Sequence, residues 1–185
     1  MALTKTPVCD FGKKAEDFKL KSIENKIISL NDVKGERATL IMFICNHCPY
    51  VKAIISDLTK DCNELKKDGV NSVAIMSNDT KNYPEDSFDN MIKFAKINKF
   101  GEINYLIDDT QEIARKYGAV CTPDFFGYNK DLQLQYRGRF RELEDLKPIT
   151  NGDSDLKVAM KMISETQNGP KEQTPSMGCN IKWFN

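Results

Sequence analysis

The sequence predicts a layered α/β domain built around a central sheet. Segments typical of strands and of helices alternate along the chain, and a strand pair and a closing helix follow them. The run from Ala38 to Ile44 is almost continuously apolar, as in a strand that is covered on both faces. Directly after it, apolar residues recur at three- and four-residue steps, which indicates a helix. This order of elements predicts a layered fold with right-handed parallel crossovers.

The first elements are a hairpin, a buried strand and a long helix. Polar and apolar residues alternate within 17–21, and Glu24-Asn25 then turns the chain into the segment 26–30, which predicts an N-terminal hairpin. After the buried strand, Pro49 suits the first turn of a helix and Gly69 suits its end. The helix has one apolar face, formed by Val51, Ile54, Ile55, Leu58, Cys62 and Leu65.

The later elements follow the same alternation. Residues 70–76 and 103–107 predict strands, Pro84 opens one helix, and Gly118 ends another. A second hairpin is predicted from 124–128 and 132–136. The apolar helix faces are predicted to contain Phe88, Met91, Ile92 and Ala95, then Ile113, Ala114 and Tyr117, and finally Leu156, Val158, Ala159, Met162 and Ile163.

Chain length, charge balance and the positions of Gly and Pro indicate one globular unit. We expect one domain over 1–167 and an extended tail over 168–185, because Gly and Pro recur after Gln167. The 27 basic residues balance the 27 acidic residues, so no net charge favours nucleic acid or an anionic membrane as a partner. Residues 1–12 lack the apolar stretch of a signal peptide, and no segment is long enough to cross a bilayer. We therefore expect a cytoplasmic protein.

The motif Cys45-Asn46-His47-Cys48-Pro49 lies between the predicted buried strand and the predicted helix. Thiol–disulfide exchange requires a thiolate, and an unperturbed cysteine has a pKa of about 8.5. Backbone N–H groups at a helix N-terminus lower the pKa of the first cysteine in such motifs to roughly 3.5–7.5. We therefore expect Cys45 to be the attacking thiolate at the surface, Cys48 to resolve the mixed disulfide, and His47 to favour the thiolate.

Other interpretations of these residues stay open. Cys45 and Cys48 can be buried core cysteines, and His47 can be a solvent-facing bystander. Cys45, His47, Cys48 and Cys121 can in principle supply four metal ligands. Structural zinc sites usually bring two separated ligand pairs, however, and this chain has one pair and one histidine. Six cysteines in a cytosolic chain favour catalytic or metal-binding thiols over a disulfide framework, and we predict neither a metal nor a cofactor.

Several motifs resemble a known family. The run 43–51 is similar to the active-site run of the peroxiredoxin-like branch of the thioredoxin superfamily, within the alkyl-hydroperoxide-reductase/thiol-specific-antioxidant group. The segments 17–20 and 29–35 are similar to the N-terminal extension of that group. Residues 120–124 resemble the loop that contains the superfamily's cis-proline, and 176–183 resemble a tail motif of the same branch.

The resemblance implies a thioredoxin-like three-layer α/β/α sandwich with a central mixed sheet and an N-terminal hairpin extension. It implies that Pro123 is cis and that the backbone of Thr122, just before it, is ready to pair with a substrate backbone. It also makes Cys45 the nucleophile and Cys48 its resolving partner.

The chain departs from peroxiredoxins proper, which have a proline and a Thr or Ser seven and three residues before the peroxidatic cysteine. Ala38 and Met42 stand there, and Met42 has no hydroxyl group to orient a peroxide. A thiol–disulfide oxidoreductase is therefore the first hypothesis. The second is a thiol-dependent peroxidase with Cys45 as its peroxidatic cysteine, and the third is a metal-binding or redox-sensing protein without turnover. The strand before the motif also lacks a carboxylate, so no proton acceptor for Cys48 is identified.

The remaining candidates have two interpretations each. Cys121 is a third redox or ligand thiol, or a buried small residue. Cys179 resolves an oxidised Cys45, or anchors the tail together with Trp183 and Phe184. Arg137, Arg139 and Arg141 form an anion site or a solvated strand face. The expected partners are a protein or small-molecule disulfide or a peroxide as substrate, and a thiol reductant such as thioredoxin or glutathione, with no nucleic acid and no membrane.

Overall fold

The structure is a computed structural model that describes residues 3–184. Its strands are β1 Leu3–Lys5, β2 Lys19–Ser22, β3 Ile27–Ser29, β4 Ala38–Phe43, β5 Val70–Met76, β6 Asn104–Ile107, β7 Cys121–Thr122, β8 Asp124–Asn129, β9 Leu134–Tyr136, β10 Leu143–Glu144, β11 Lys147–Pro148 and β12 Met177–Asn180. Its α-helices are α1 Leu30–Val33, α2 Pro49–Leu65, α3 Phe88–Ile97, α4 Glu112–Tyr117 and α5 Asp155–Thr166. Short 3-10 helices span Lys66–Asp68 and Pro84–Asp86.

A seven-stranded mixed sheet forms the middle layer, in the order β3-β2-β6-β5-β4-β8-β9. Strand β5 runs parallel to both β4 and β6, whereas the remaining neighbours in the sheet pair antiparallel. Helices α2, α3 and α5 cover one face of the sheet, and α1 and α4 cover the other. The predicted three-layer α/β/α sandwich is therefore confirmed.

Strand β4 shows why the central run is apolar throughout. All six of its residues are buried, because Leu40 and Met42 face the α2 layer while Ile41 and Phe43 face the α4 layer. Both predicted hairpins are confirmed, as β2 with β3 and as β8 with β9. Gly69, with φ of 75°, ends the helical segment after α2, in a conformation that favours glycine.

Two predictions about helices are wrong in detail. The segment opened by Pro84 begins as a 3-10 turn, and α3 starts only at Phe88. Ile92, Val158 and Met162 were expected on buried faces but are 39%, 56% and 38% exposed. These helices pack on the sheet through a narrow stripe of buried residues. In α5 the apolar part of this stripe is Leu156, Ala159, Met160 and Ile163.

The arginines after β9 do not form a solvated strand face. The strand ends at Tyr136, and the guanidinium group of Arg137 turns inward to Asp124, with 3.0 Å between Arg137 Nη2 and Asp124 Oδ2. Both side chains are buried, and burial raises the pKa of Asp124 to about 6 although Arg137 opposes the shift. Because Asp124 begins β8, this ion pair fixes the strand that follows Pro123.

The segment 168–184 folds back onto the domain. Its strand β12 lies between β1 and β7 in a separate three-stranded antiparallel sheet. Farther along, the backbone N–H of Lys182 donates to Asn78 Oδ1, and that of Phe184 donates to Gln111 Oε1. The predicted tail is thus tied down along its length. Among residues 3–184, no helix combines the length and the apolar character that a membrane span requires.

Candidate active site

The predicted redox motif lies at the junction of β4 and α2. Cys48 is the N-cap of α2, and Pro49 takes the first helical position, where its missing N–H costs nothing. The expectation that Cys45 reaches the surface is wrong for this structure, since Cys45 is 1% and Cys48 0% exposed. The segment 176–184 packs against this end of the domain, where Ser176 Oγ donates to the Pro123 carbonyl oxygen. The two thiols lie close enough for each to shift the pKa of the other.

The proximity of the two thiols shifts the pKa of each in opposite directions. The Cys45 thiol lowers the pKa of Cys48 to about 5, against the effect of burial, and the backbone N–H of Val51 at the start of α2 lowers it further. The Cys48 thiol, with burial, raises the pKa of Cys45. The pair therefore favours a thiolate on Cys48 over one on Cys45. Cys48, and not Cys45, is also the N-cap residue of α2.

Groups around Cys45 can stabilise a negative charge on its sulfur when the proton is on Cys48. The Thr122 hydroxyl Oγ1 lies 3.4 Å from Cys45 Sγ, and His47 Nδ1 lies 3.9 Å from it. When Cys48 holds the proton, its thiol donates to the carbonyl oxygen of Thr122 at 3.1 Å. The site can thus place the charge on either sulfur.

The contacts of His47 differ from those of a proton relay. Its Nδ1 lies 2.7 Å from Asp86 Oδ2, and this hydrogen bond raises the pKa of His47, which favours the imidazolium. The ring stacks on Tyr83 with 5.6 Å between the centroids. In a catalytic triad the two imidazole nitrogens face different partners. Here the same nitrogen faces both Asp86 and Cys45, so His47 in its protonated form favours negative charge on Cys45.

Asp86 organises the motif from the 3-10 turn before α3. Its Oδ1 accepts hydrogen bonds from the backbone N–H groups of Asn46 and His47, at 2.8 and 3.3 Å. Its Oδ2 accepts one from the Asn78 amide at 2.8 Å as well as the one from His47. Burial opposes ionisation of this carboxyl group, but the hydrogen bonds from His47 and Asn78 outweigh it and lower the pKa of Asp86.

Sequence reasoning missed Asp86. It lies 39 residues along the chain from His47, in a segment that the sequence marks only as the start of a helix. Tyr105, which is 59 residues from Asn46 in the sequence, was missed too, and its hydroxyl donates to Asn46 Oδ1 at 2.9 Å. Only the crossover that places β4, β5 and β6 side by side brings these residues to the motif.

The peptide bond between Thr122 and Pro123 is cis, as the resemblance implied. The Thr122 backbone, which was expected to pair with a substrate backbone, is paired within the chain in this structure. Strand β12 already pairs with β7 there, with Cys179 opposite Thr122. The chain's own tail therefore occupies the position that was expected for a substrate strand.

The site can now be compared with known proteins. A family model described as "AhpC/TSA family" matches residues 11–140, which is more than half of the chain. The chain belongs to the AhpC/TSA family. It is a thiol-based redox enzyme of the thioredoxin superfamily, peroxiredoxin-like, as its motifs predicted.

Solved structures share the whole fold of this AhpC/TSA-family chain. An uncharacterized conserved protein from Geobacillus kaustophilus is 39% identical, with a TM-score of 0.94, over 100% of this chain and 97% of the other. A hypothetical protein from Sinorhizobium meliloti 1021 is 34% identical, with a TM-score of 0.90 and 98% of each chain covered. The thioredoxin domain of a thiol-disulfide oxidoreductase from Bacteroides vulgatus shares the fold at 18% identity and a TM-score of 0.58, over 69% of this chain and 86% of its own. No curated protein sequence matches the chain.

The other cysteines differ in their relation to the site. The Cys121 thiol is buried and donates to the Pro123 carbonyl oxygen at 3.5 Å, and burial raises its pKa. Burial and the nearby Cys48 thiol raise the pKa of Cys179 to about 11. Cys62 belongs to α2 and faces the core, and Cys9 is partly exposed. All six cysteines are free thiols.

A metal ion would find three ligand atoms here. Those of Cys45, His47 and Asp86 lie within 4.8 Å of one another. This set differs from the predicted one, which had Cys48 and Cys121 in place of Asp86. The Asp86 carboxylate already accepts four hydrogen bonds, which use its lone-pair positions. The network is therefore complete without an ion.

Proposed function

We propose that the chain is a thiol–disulfide oxidoreductase that uses Cys45 and Cys48 through a mixed-disulfide mechanism. The supporting observation is the placement of both thiols at the junction of β4 and α2, with Cys45 Sγ 3.4 Å from the Thr122 hydroxyl and 3.9 Å from His47 Nδ1. The lowered pKa of Cys48 favours a thiolate in the pair, and the second sulfur lies beside it. These are the two requirements of disulfide exchange.

The reaction conserves atoms and electrons in two steps. The Cys45 thiolate attacks one sulfur of a substrate disulfide, forms a mixed disulfide and releases the other half as a thiolate. Cys48 then attacks Cys45 Sγ, the Cys45–Cys48 bond forms, and the second half leaves. The substrate gains two electrons and the chain loses two, which a thiol reductant such as thioredoxin or glutathione restores.

Cys45 is assigned the attacking role because of its neighbours. It contacts His47, whose side chain is 14% exposed and reaches solvent. Cys48 contacts Thr122 and Cys179, which are both buried. Movement of the His47 side chain would expose Cys45 first. Because Cys45 itself is buried, the proposal requires such an opening for each turnover.

The proposal is tested by trapping the mixed disulfide. The Cys48→Ser chain should accumulate a covalent adduct with insulin or with oxidised glutathione through Cys45, because the resolving sulfur is missing. The Cys45→Ser chain is the matched control and should form at least about tenfold less adduct. The wild type should accelerate insulin reduction by dithiothreitol. Background rates for the wild type together with no Cys45 adduct would contradict the proposal.

A peroxidase is a second candidate because of one contact. The Thr122 hydroxyl 3.4 Å from Cys45 Sγ can donate a hydrogen bond of the kind that Met42 cannot supply. Peroxide consumption with a thiol reductant measures this activity, and Thr122→Val should lower it more than it lowers disulfide reduction if the hydroxyl orients peroxide. Metal analysis of the purified protein tests the third hypothesis, a binding protein without turnover. A cytoplasmic location also stays a prediction, supported by six cysteines that are all free.

A further inference from the structure

The segment that covers the site places a third thiol next to Cys48. Strand β12 is hydrogen-bonded on both sides, with Leu3 of β1 and Thr122 of β7 opposite Cys179. At Gly178 the strand crosses directly over the peptide bond before Pro123. A Cβ atom there would lie 2.1 Å from the Thr122 carbonyl oxygen, so only glycine allows this approach.

Residue Thr122 is next to both Cys48 and Cys179. Its carbonyl oxygen accepts from the Cys48 thiol at 3.1 Å, and Cys179 is its partner across the β7–β12 ladder. Cys48 and Cys179 belong to the same buried cluster, and helix α2 packs against β12. The two thiols lie near enough that Cys48 contributes to the raised pKa of Cys179. Cys48 is therefore a neighbour of both Cys45 and Cys179.

We propose that Cys179 is a third redox-active thiol, which exchanges with Cys48 once the Cys45–Cys48 disulfide has formed. The inference rests on the proposed dithiol function and extends it. The Cys179 thiolate attacks Cys48 Sγ, the Cys48–Cys179 bond forms, and the Cys45–Cys48 bond breaks. Cys45 leaves as a thiolate, and in net terms it gains the proton that Cys179 loses. The number of disulfides is unchanged, so no external oxidant or reductant takes part.

The leaving sulfur is well placed for this exchange. The Cys45 thiolate would lie beside the Thr122 hydroxyl and the His47 imidazolium, which both favour negative charge. The oxidised chain would then retain a nucleophile at Cys45 while its disulfide is stored under the tail. Cys121 does not offer an equivalent route, because its thiol is directed to the Pro123 carbonyl oxygen.

Disulfide mapping in a chain without Cys45 tests the pairing directly. The Cys45→Ser chain is oxidised with one equivalent of diamide, quenched in acid, alkylated and digested for mass spectrometry. The expected product is a Cys48–Cys179 cross-link, in at least about tenfold excess over Cys48–Cys121, because contact gives a high effective concentration. The Cys45→Ser/Cys121→Ser chain should keep this cross-link, and Cys45→Ser/Cys179→Ser should lose it. Circular dichroism confirms that each variant is folded.

The wild type provides the second measurement, which needs no substitution. After one equivalent of diamide it should contain both Cys45–Cys48 and Cys48–Cys179 linkages, in proportions that reach equilibrium before the quench. A folded Cys45→Ser chain without the Cys48–Cys179 linkage, or a wild type with Cys45–Cys48 alone, would overturn the inference. Neither result would affect the proposed function, which fails separately if no Cys45 adduct is trapped.

Discussion

Cys48 and Cys62 belong to the same helix and are both removed from solvent, yet their thiols ionise very differently. Cys62 lies on the apolar face of α2, where burial raises its pKa to about 12. Cys48 caps the same helix and is just as buried, but the adjacent Cys45 thiol and the Val51 N–H lower its pKa to about 5. Burial disfavours both thiolates, and only Cys48 has donors that reverse the effect.

The comparison shows which property makes a buried cysteine reactive. Removal from water alone produces an inert thiol such as that of Cys62. Removal from water together with directed donors produces a thiolate, because the donors interact more strongly where water does not compete. The chemistry of this domain therefore depends on the polar groups that converge on the start of α2. The role of each group can be tested by comparing its substitution with the same substitution at a residue outside the site.

The largest expected effect is the contrast between the two cysteines themselves. Cys48→Ser should lower disulfide-reduction turnover by at least about a thousandfold, because resolution of the mixed disulfide is lost. Cys62→Ser should leave turnover within about twofold and instead lower the free energy of unfolding by about 1–3 kcal/mol, since a hydroxyl group enters an apolar site. Insulin turnover and urea denaturation measure the two quantities. Equal losses of activity in both variants would refute the comparison.

The next effect concerns the carboxylate that holds the motif. Asp86→Asn replaces an acceptor of four hydrogen bonds with an amide whose NH₂ group must face a donor. We expect an unfolding free energy lower by about 2–3 kcal/mol and turnover lower by about tenfold or more. The His47 pKa, followed by NMR titration, should fall toward its usual value. Asp79→Asn is the control, because Asp79 is also buried but contacts Lys81 and Asn82 and not His47.

A smaller effect is expected from the hydroxyl group beside Cys45. Thr122→Val removes the donor 3.4 Å from Cys45 Sγ while it preserves the side-chain shape. One hydrogen bond of about 1 kcal/mol corresponds to roughly a fivefold slower alkylation of Cys45 at neutral pH. Thr59→Val, within α2, should leave that rate unchanged, because the Thr59 hydroxyl donates to the Ser56 carbonyl. A slower rate in both variants would assign the effect to packing.

The smallest expected effect is the pH dependence of the His47–Asp86 pair. The raised pKa of His47 stabilises the fold fully below the unfolded value of about 6.5, and this contribution is lost as pH rises through the folded value. The lowered pKa of Asp86 stabilises the fold above its unfolded value near 3.8, and this contribution is lost as pH falls through the folded value.

The pair should therefore stabilise the fold most between about pH 4 and pH 6.5. The measurement is the difference in unfolding free energy between the wild type and His47→Gln from pH 3 to pH 9. It should be largest inside this range and smaller on both sides, with an amplitude of about 1 kcal/mol. A difference independent of pH would show that His47 acts by packing on Tyr83 alone.

The sequence determined the elements and the motif's place among them. The apolar run before Cys45, the helical period after Pro49 and Gly69 at the helix end all describe neighbours in the chain, and strands and helices follow from such local spacing. The cis bond before Pro123 and the tail motif around Cys179 were implied by resemblance, but the pairing of the tail with Thr122 was not.

The tertiary structure alone decided which groups surround the two sulfurs. Asp86, Tyr105, Thr122 and Cys179 reach Cys45 and Cys48 from four other segments of the chain. The burial of Cys45 was also unexpected, because contacts such as that with Thr122 come from segments distant in the sequence. Periodicity specifies which face of an element is apolar, but the side chains that meet at the end of a sheet depend on how its crossovers pack.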